Sequence, residues 1–311
     1  MKSIVTLTLN PTIDKSVDVE HVDADQKLRC DPPRRDPGGG GVNVSRAIKR
    51  LGGKSLAIYT AGGQTGEMLI ELLDREGINH RPIKIKNLSR ENLTVIERSS
   101  GHQYRFIMPG PELNESEWQA FLDVLWEIEP RPDYIVASGS LPPGVPLDFY
   151  ARVAQIAKDQ GSRLIVDTSE EALRLAVMEQ VYMIKPNVRE IKQLIGLNIR
   201  DEMNLESISN QLLIDHKIEV IVISLGAAGA LLTTPEYSEY FRSPAVPIVS
   251  KIGAGDSMVA GIVPSLARGQ SLKESILYGI SAGAATVMTP GNDLCHGEDV
   301  EKLYRQMTSN L

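Results

Sequence analysis

Lys251-Ile-Gly-Ala-Gly-Asp256-Ser-Met delivers one carboxylate to the start of an apolar, small-residue helix. The first N–H groups of a helix have no partner inside it, and the positive end of its dipole faces outward, so such a turn can receive an anion. Glycine at 253 and 255 lets the backbone come close to that anion. Asp256 is then placed as a base beside an anion hole formed by Gly253, Ala254, Gly255 and Asp256, which suggests phosphate chemistry. A carboxylate there is equally a plain helix cap, so the functional reading depends on what accompanies it.

Several other segments carry comparable double readings. Pro37-Gly38-Gly39-Gly40-Gly41-Val42-Asn43 precedes a helix expected to begin near Asn43, and four consecutive glycines are costly to order unless the backbone must approach a ligand. Asn43 either caps that helix or offers a donor and an acceptor to a polyhydroxylated ligand. Asn10-Pro-Thr-Ile-Asp14 and Ser138-Gly-Ser140 follow expected strands, where ligands of open α/β folds gather, but Asp14 and Ser140 also suit ordinary turns. Lys27, Arg29, Arg90 and Arg105 are cations that would grip a phosphate if they face a cleft. In Lys185-Pro-Asn187-Val-Arg-Glu190, the carboxylate complements a helix dipole or, with Asn187, orients the waters of a magnesium ion. Ser224-Leu-Gly226-Ala-Ala-Gly229 supplies glycines suited to a turn near nucleotide phosphates.

The elements expected to position these residues alternate. Ile4–Leu9, Leu56–Thr60, Tyr134–Ser138, Leu164–Asp167, Tyr182–Ile184 and Val220–Ser224 are short, β-branched runs without polar alternation, as in strands buried on both faces. Amphipathic stretches at 44–51, 66–76, 115–128, 147–160 and 189–195 lie between them, and the chain from Ser257 onward is mostly helical. This is the rhythm of a mostly parallel sheet covered by helices. Residues 11–36 and 84–108 break it with apolar/polar alternation, as expected of antiparallel strands with one exposed face. As insertions in a single domain spanning 1–311, they would form a small β lid, whose remaining apolar face invites pairing with a second subunit.

The bulk numbers exclude several classes. A net charge of −7 gives no general reason to bind nucleic acid or an anionic membrane, so phosphate affinity must be local. Cys30 and Cys295 are far apart and lack metal spacing, which argues against a disulfide framework or zinc site and for a reducing, cytoplasmic setting. No apolar run reaches membrane-spanning length, and the N-terminus is too polar for a signal peptide. The chain also lacks a Gly-x-x-x-x-Gly-Lys-Ser/Thr loop, a complete dinucleotide fingerprint and a Gly-x-Ser-x-Gly elbow.

Taken in order, Asn10–Asp14, Gly38–Asn43, Ser138–Pro142, Lys185–Glu190, Ser224–Gly229 and Gly253–Asp256 resemble the ribokinase-like, pfkB-type sugar kinases over nearly the whole chain. Thr8-Leu-Asn-Pro11, Leu28-Arg-Cys30, the four-glycine loop and Gln103-Tyr-Arg-Phe-Ile-Met-Pro-Gly110 look most like the isozyme 2 branch of bacterial 6-phosphofructokinases. The resemblance implies a three-layer α/β sandwich, a mostly parallel central sheet, a β lid that forms a homodimer contact, and ATP with Mg2+ as cofactors. It also implies a monovalent cation such as K+. Carried over by position, Asp256 matches the base, Asp14, Gly39 and Asn43 the sugar contacts, Lys27, Arg90 and Arg105 the cations near substrate phosphate, and Ser140 a further substrate contact. Lys185, Asn187, Ser224, Gly226 and Gly229 match ATP-binding positions, and Glu190 the residue organising magnesium. The implied reaction is ATP-dependent phosphorylation of fructose 6-phosphate at its 1-hydroxyl. Tagatose 6-phosphate and fructose 1-phosphate are rival substrates, and a noncatalytic sugar-phosphate sensor is a third reading. Kinases of the rival sugars usually carry lysine in a Gly-Gly-Lys-Gly loop, where this chain has Gly40. Lys251 departs from the residue usual before the Gly-Ala-Gly-Asp turn and leaves the local cation geometry open.

Overall fold

The structure, a computed structural model, describes residues 2–196 and 204–309. In chain order the first half comprises β1 (Ile4–Thr8), β2 (Thr12–Val19), β3 (Arg34–Gly38), α1 (Gly40–Arg50), β4 (Leu56–Ala61), α2 (Gly63–Arg75), β5 (His80–Lys84), β6 (Arg90–Glu97), β7 (Gln103–Phe106), α3 (Glu115–Trp126) and β8 (Tyr134–Ser138). The second half comprises α4 (Phe149–Gln160), β9 (Arg163–Asp167), α5 (Glu170–Val177), β10 (Met183–Ile184), α6 (Val188–Leu194), α7 (Leu205–His216), β11 (Val220–Ser224), β12 (Ala230–Thr233), β13 (Ser238–Phe241), α8 (Ala254–Ala267), α9 (Leu272–Val287) and α10 (Gly297–Thr308).

The nine-stranded sheet runs β13-β12-β11-β10-β9-β8-β1-β4-β5, parallel from β5 to β11 and antiparallel at β12 and β13. Strand interiors are apolar because alternate residues feed opposite cores. On one face Tyr134, Val136, Ile165, Val220 and Val222 pack with α1, α8, α9 and α10; on the other Ile135, Ala137, Leu164, Val166, Ile221 and Ile223 pack with α3 to α7. Each such fully buried aliphatic side chain contributes about 1.5–3 kcal/mol. The parallel α/β sandwich expected from the buried runs is therefore what forms.

Chain order fixes where a site can lie. After β1 the chain builds β4 and β5 on one side, then returns to place β8 on the other. The connections leaving the carboxyl ends of β1 and β8 thus diverge and open a crevice between them. Asn10 Nδ2 donates to Ser140 Oγ across it at 3.0 Å. Helix α1 begins at Gly40, three residues before the expected start, and sits tightly at this crevice. A Cβ at Gly41 would overlap the Leu7 carbonyl and one at Gly40 the Ser138 side chain. The glycine run therefore brings a helix down onto two strands, a packing role beside any ligand role.

The stretches 11–36 and 84–108 contribute the strands of a second, four-stranded sheet, ordered β3-β2-β6-β7. Its outer pairs are antiparallel as expected, but the central β2–β6 pair is parallel. Both central strands leave the large sheet from its carboxyl edge and head the same way, which makes a parallel pair the direct result. No helix among the described residues is long and apolar enough to cross a membrane.

Candidate active site

Asp256 lies in the first turn of α8, whose N-cap Gly253 has φ 73°. That left-handed conformation suits glycine, and an added Cβ would also meet Leu294 Cδ2 at 2.5 Å. The first bond into the helix is Ser257 N–H to Gly253 O at 2.8 Å; the amides of Ala254, Gly255 and Asp256 find no acceptor among the described residues. Three donors and a helix dipole therefore face the crevice beside one carboxylate. Burial, reinforced by the charge of Asp167, pushes the Asp256 carboxyl up to about 7, against the opposing pull of the Asn43 hydrogen bond and Lys185. A carboxylate so poised accepts a proton near neutral pH.

A chain of amides joins Asp256 to Asp14. Asn43, in the first turns of α1, donates through Nδ2 to Asp256 Oδ2 at 2.9 Å. Asn292 donates through its Nδ2 to Asp14 Oδ2 at 2.9 Å and approaches Asn43 Oδ1 at 3.5 Å. Asn92 of β6 holds the other Asp14 oxygen, with Nδ2 to Oδ1 at 3.0 Å. Burial raises the Asp14 carboxyl, and the Asn92 bond with the charges of Arg90, Arg105 and Arg46 limits the rise. Arg90, at the start of β6, donates to Met108 O at 3.1 Å and Asn10 O at 2.9 Å, which pins the small sheet to the crevice. Its Nε is buried without an acceptor. Arg105 on β7 is exposed, but its charge reaches Asp14. Gly39 is the N-cap of α1 at the same place, and Ser140 closes the crevice through Asn10. Lys27 is not brought in: it is exposed on the connection between β2 and β3 and makes no hydrogen bond or ion pair with the described residues.

A second group lines the carboxyl ends of β9, β10 and β11. Lys185 Nζ lies 3.0 Å from Asp167 Oδ1, with 7% and 13% of the two side chains exposed. Burial opposes the Lys185 charge, but Asp167, with help from Asp256 and Glu190, raises its pKa overall. Asn187 and Glu190 form a capping box on α6: Asn187 Oδ1 accepts the Glu190 N–H at 2.9 Å and Glu190 Oε2 accepts the Asn187 N–H at 2.8 Å. The dipole-capping alternative is thus realised; burial raises the Glu190 carboxyl and the nearby Asp167 charge adds to the rise, against the Asn187 hydrogen bonds and Lys185. Among the described residues no group of three or more His, Cys, Asp or Glu side chains forms a direct metal cage. Ser224 N–H donates to Pro186 O at 2.9 Å, and Leu225 N–H to Gly229 O at 2.8 Å, shaping a turn that exposes Gly226.

Asp167, Arg46, Asn92 and Asn292 escaped the sequence reading. A carboxylate ending an expected buried strand was a usable signal for Asp167. Nothing local marks Asn292, which sits in irregular chain between α9 and α10.

This arrangement can bind an anion at the α8 amides, hold hydroxyl groups at Asp14 and Asn43, and remove a proton at Asp256. Comparisons with known proteins identify the family. The pfkB family carbohydrate kinase model matches residues 7–297. The ATP-dependent 6-phosphofructokinase isozyme 2 of Mycobacterium tuberculosis is 43% identical over 97% of this chain and 88% of its own. That of Escherichia coli K12 is 39% identical over 99% and 100%. A crystal structure of Escherichia coli phosphofructokinase-2 in complex with potassium matches with a TM-score of 0.95 at 39% identity, covering 99% of this chain and 100% of that one. Ribokinase from Thermotoga maritima, at 19% identity and a TM-score of 0.79, shares the fold. The chain belongs to the pfkB family of carbohydrate kinases, has their ribokinase-like α/β fold, and is a sugar-phosphate kinase.

Proposed function

We propose that this kinase transfers the γ-phosphoryl group of ATP to the 1-hydroxyl of fructose 6-phosphate, giving fructose 1,6-bisphosphate and ADP. The observation that carries the reading is the single amide network joining Asp256, beside three free helix amides, to Asp14. Asp14 and Asn43 hold sugar hydroxyls, and Gly39 brings backbone close. Asp256 takes the proton as the hydroxyl oxygen attacks phosphorus in line, and the Gly253–Asp256 turn spreads the developing charge. Arg90 and Arg105 receive the 6-phosphate, with Ser140 a further contact; Lys27 joins them only through movement of its exposed connection.

Lys185, Asn187, Ser224, Gly226 and Gly229 bind ATP along the edge from β10 to β11. Glu190 and the nearby Asp167, two carboxylates in one pocket, would hold a hydrated magnesium ion through its waters. When bound, that ion neutralises phosphate charge. Lys251 is exposed and makes no ion pair with the described residues, so it does not fill the turn. The potassium complex of the Escherichia coli relative supports a monovalent cation such as K+ as a further ligand of this enzyme.

Exposed Leu28, Tyr104, Phe106, Ile107 and Met108 on and beside the small sheet support a lid that pairs in a homodimer. A tetrameric inhibited form of the Escherichia coli relative shows that larger assemblies occur among relatives. The reading places the enzyme in the cytoplasm.

Relatives include 1-phosphofructokinase of Bacillus subtilis at 31% identity and tagatose-6-phosphate kinase of Staphylococcus epidermidis at 28%. Gly40, packed against Ser138, leaves no space for a loop lysine and favours fructose 6-phosphate over their substrates. A coupled ADP-release assay over a sugar-phosphate panel decides. Highest kcat/KM on fructose 6-phosphate supports the assignment, and a preference for either rival sugar replaces it.

A further inference from the structure

The Asn43 amide is held in one orientation. Its Nδ2 donates to Asp256 Oδ2 at 2.9 Å, while Oδ1 faces Arg46 Nη1 at 3.4 Å and Asn292 Nδ2 at 3.5 Å. Turned over, the amide would set its carbonyl oxygen against a carboxylate and its NH2 against two other N–H donors. Arg46 is the charged donor of the two, and it is itself immobilised. It is 1% exposed; Nε and Nη2 bridge Glu76 Oε2 and Oε1 at 2.8 and 2.6 Å, and Nη1 also donates to Pro37 O at 2.8 Å. A two-point bridge fixes the guanidinium plane, which a single ammonium contact cannot do.

We propose that Arg46 is a positioning residue for phosphoryl transfer: clamped between Glu76 at the end of α2 and Pro37 of β3, it sets the Asn43 amide and, through it, the Asp256 carboxylate. The inference rests on the reading of Asp256 as the base. The groups facing Asp256 are Asn43 from α1, Lys185 from the end of β10, Asp167 from the end of β9 and Asp14 from β2. If the Asn43 donor is lost, Lys185 alone offsets burial and two carboxylates, and Asp256 holds its proton to higher pH.

The test is a double-mutant cycle of Arg46→Lys and Asn43→Ala, assayed with the best sugar phosphate of the panel. Arg46→Lys is expected to lower kcat by about 10- to 100-fold with little change in the KM for ATP, and to move the acid limb of kcat/KM upward. In the Asn43→Ala background the same change should alter kcat by less than about twofold, because the intermediary is gone. Additive losses overturn the proposal, as does an Arg46→Lys enzyme that melts lower but keeps its kcat and pH limb. Should Arg46→Lys fail to fold, Glu76→Gln loosens the clamp with Arg46 in place; a smaller loss in the same direction supports the role, and unchanged kcat and limb refute it. Asp256→Asn measured in parallel separates the two readings. Full turnover there removes both, whereas an inactive Asp256→Asn with an additive cycle removes only the role of Arg46.

Discussion

Replacing Asp256 with asparagine should move activity and stability in opposite directions. Burial and Asp167 raise this carboxyl from 3.8 to about 7. The native chain therefore holds the proton more tightly than the unfolded chain. Wild-type stability attributable to this group is full below about pH 4, falls as pH rises towards 7, and stays low above it. A rise of roughly three pH units at about 1.4 kcal/mol each sets a ceiling of about 4 kcal/mol on the cost of the ionised group. The amide removes the charge while its oxygen can still accept the Asn43 proton. At pH 8 the variant should therefore melt up to several degrees above wild type, at about 1.5 °C per kcal/mol for a chain of 311 residues. At pH 4 the two should coincide. Turnover should drop by about 10²- to 10⁴-fold, the usual range for a positioned base. Calorimetric or fluorimetric melting at both pH values, beside the coupled assay, reads both effects. A variant less stable than wild type at pH 8, or a gap independent of pH, would refute the desolvation argument; near-normal turnover would refute the base.

The wild-type kcat/KM should fall on the acid side with a midpoint near 7, because free Asp256 must be ionised; a profile flat to well below that value counts against it. Lys185→Met strands the Asp167 carboxylate and should cost about 3–5 kcal/mol in denaturant titration, with weaker ATP binding by calorimetry. Gly41→Ala is diagnostic by sign: helix propensity alone predicts a gain of about 1 kcal/mol. Overlap with the Leu7 carbonyl predicts a net loss and reduced kcat instead, so a stabilised, fully active variant would contradict the packing. Phe106→Asp should shift the assembly to monomer in light scattering, whereas an unchanged mass moves the contact away from the small sheet.

Legibility followed burial. Tyr134–Ser138 and Val220–Ser224 are strands with the expected bounds, because residues covered on both faces write an unbroken apolar run. Strand β5 carries Arg81 and Pro82 in a short stretch, which an edge strand tolerates and a local reading passes over. Alternation in residues 84–108 revealed half-exposed strands, yet pairing direction depends on where the chain enters the sheet, which alternation does not encode. The Gly-Ala-Gly-Asp turn was readable because its chemistry is local. Asn292 meets Asp14 from 278 positions away, a contact that belongs to the fold and leaves no trace in either neighbourhood.

The parallel pairing of β2 with β6 has a mechanical consequence. Thr12 and Arg90 are register partners at one end, Val19 and Glu97 at the other, while Gly38 of β3 pairs back at Thr12. Every covalent connection between the two sheets consequently leaves from the same edge, beside Asp14 and Arg90. All covalent joins of the small sheet to the large one thus lie along one line, while its far rim meets the rest of the molecule through contacts such as Gln103 Nε2 to Val249 O at 3.3 Å. Small rotations about that line swing the rim widely while hardly shifting the residues at the hinge. In the proposed lid role, such rotation would admit substrates at the rim while Asp14 keeps its place beside Asn292.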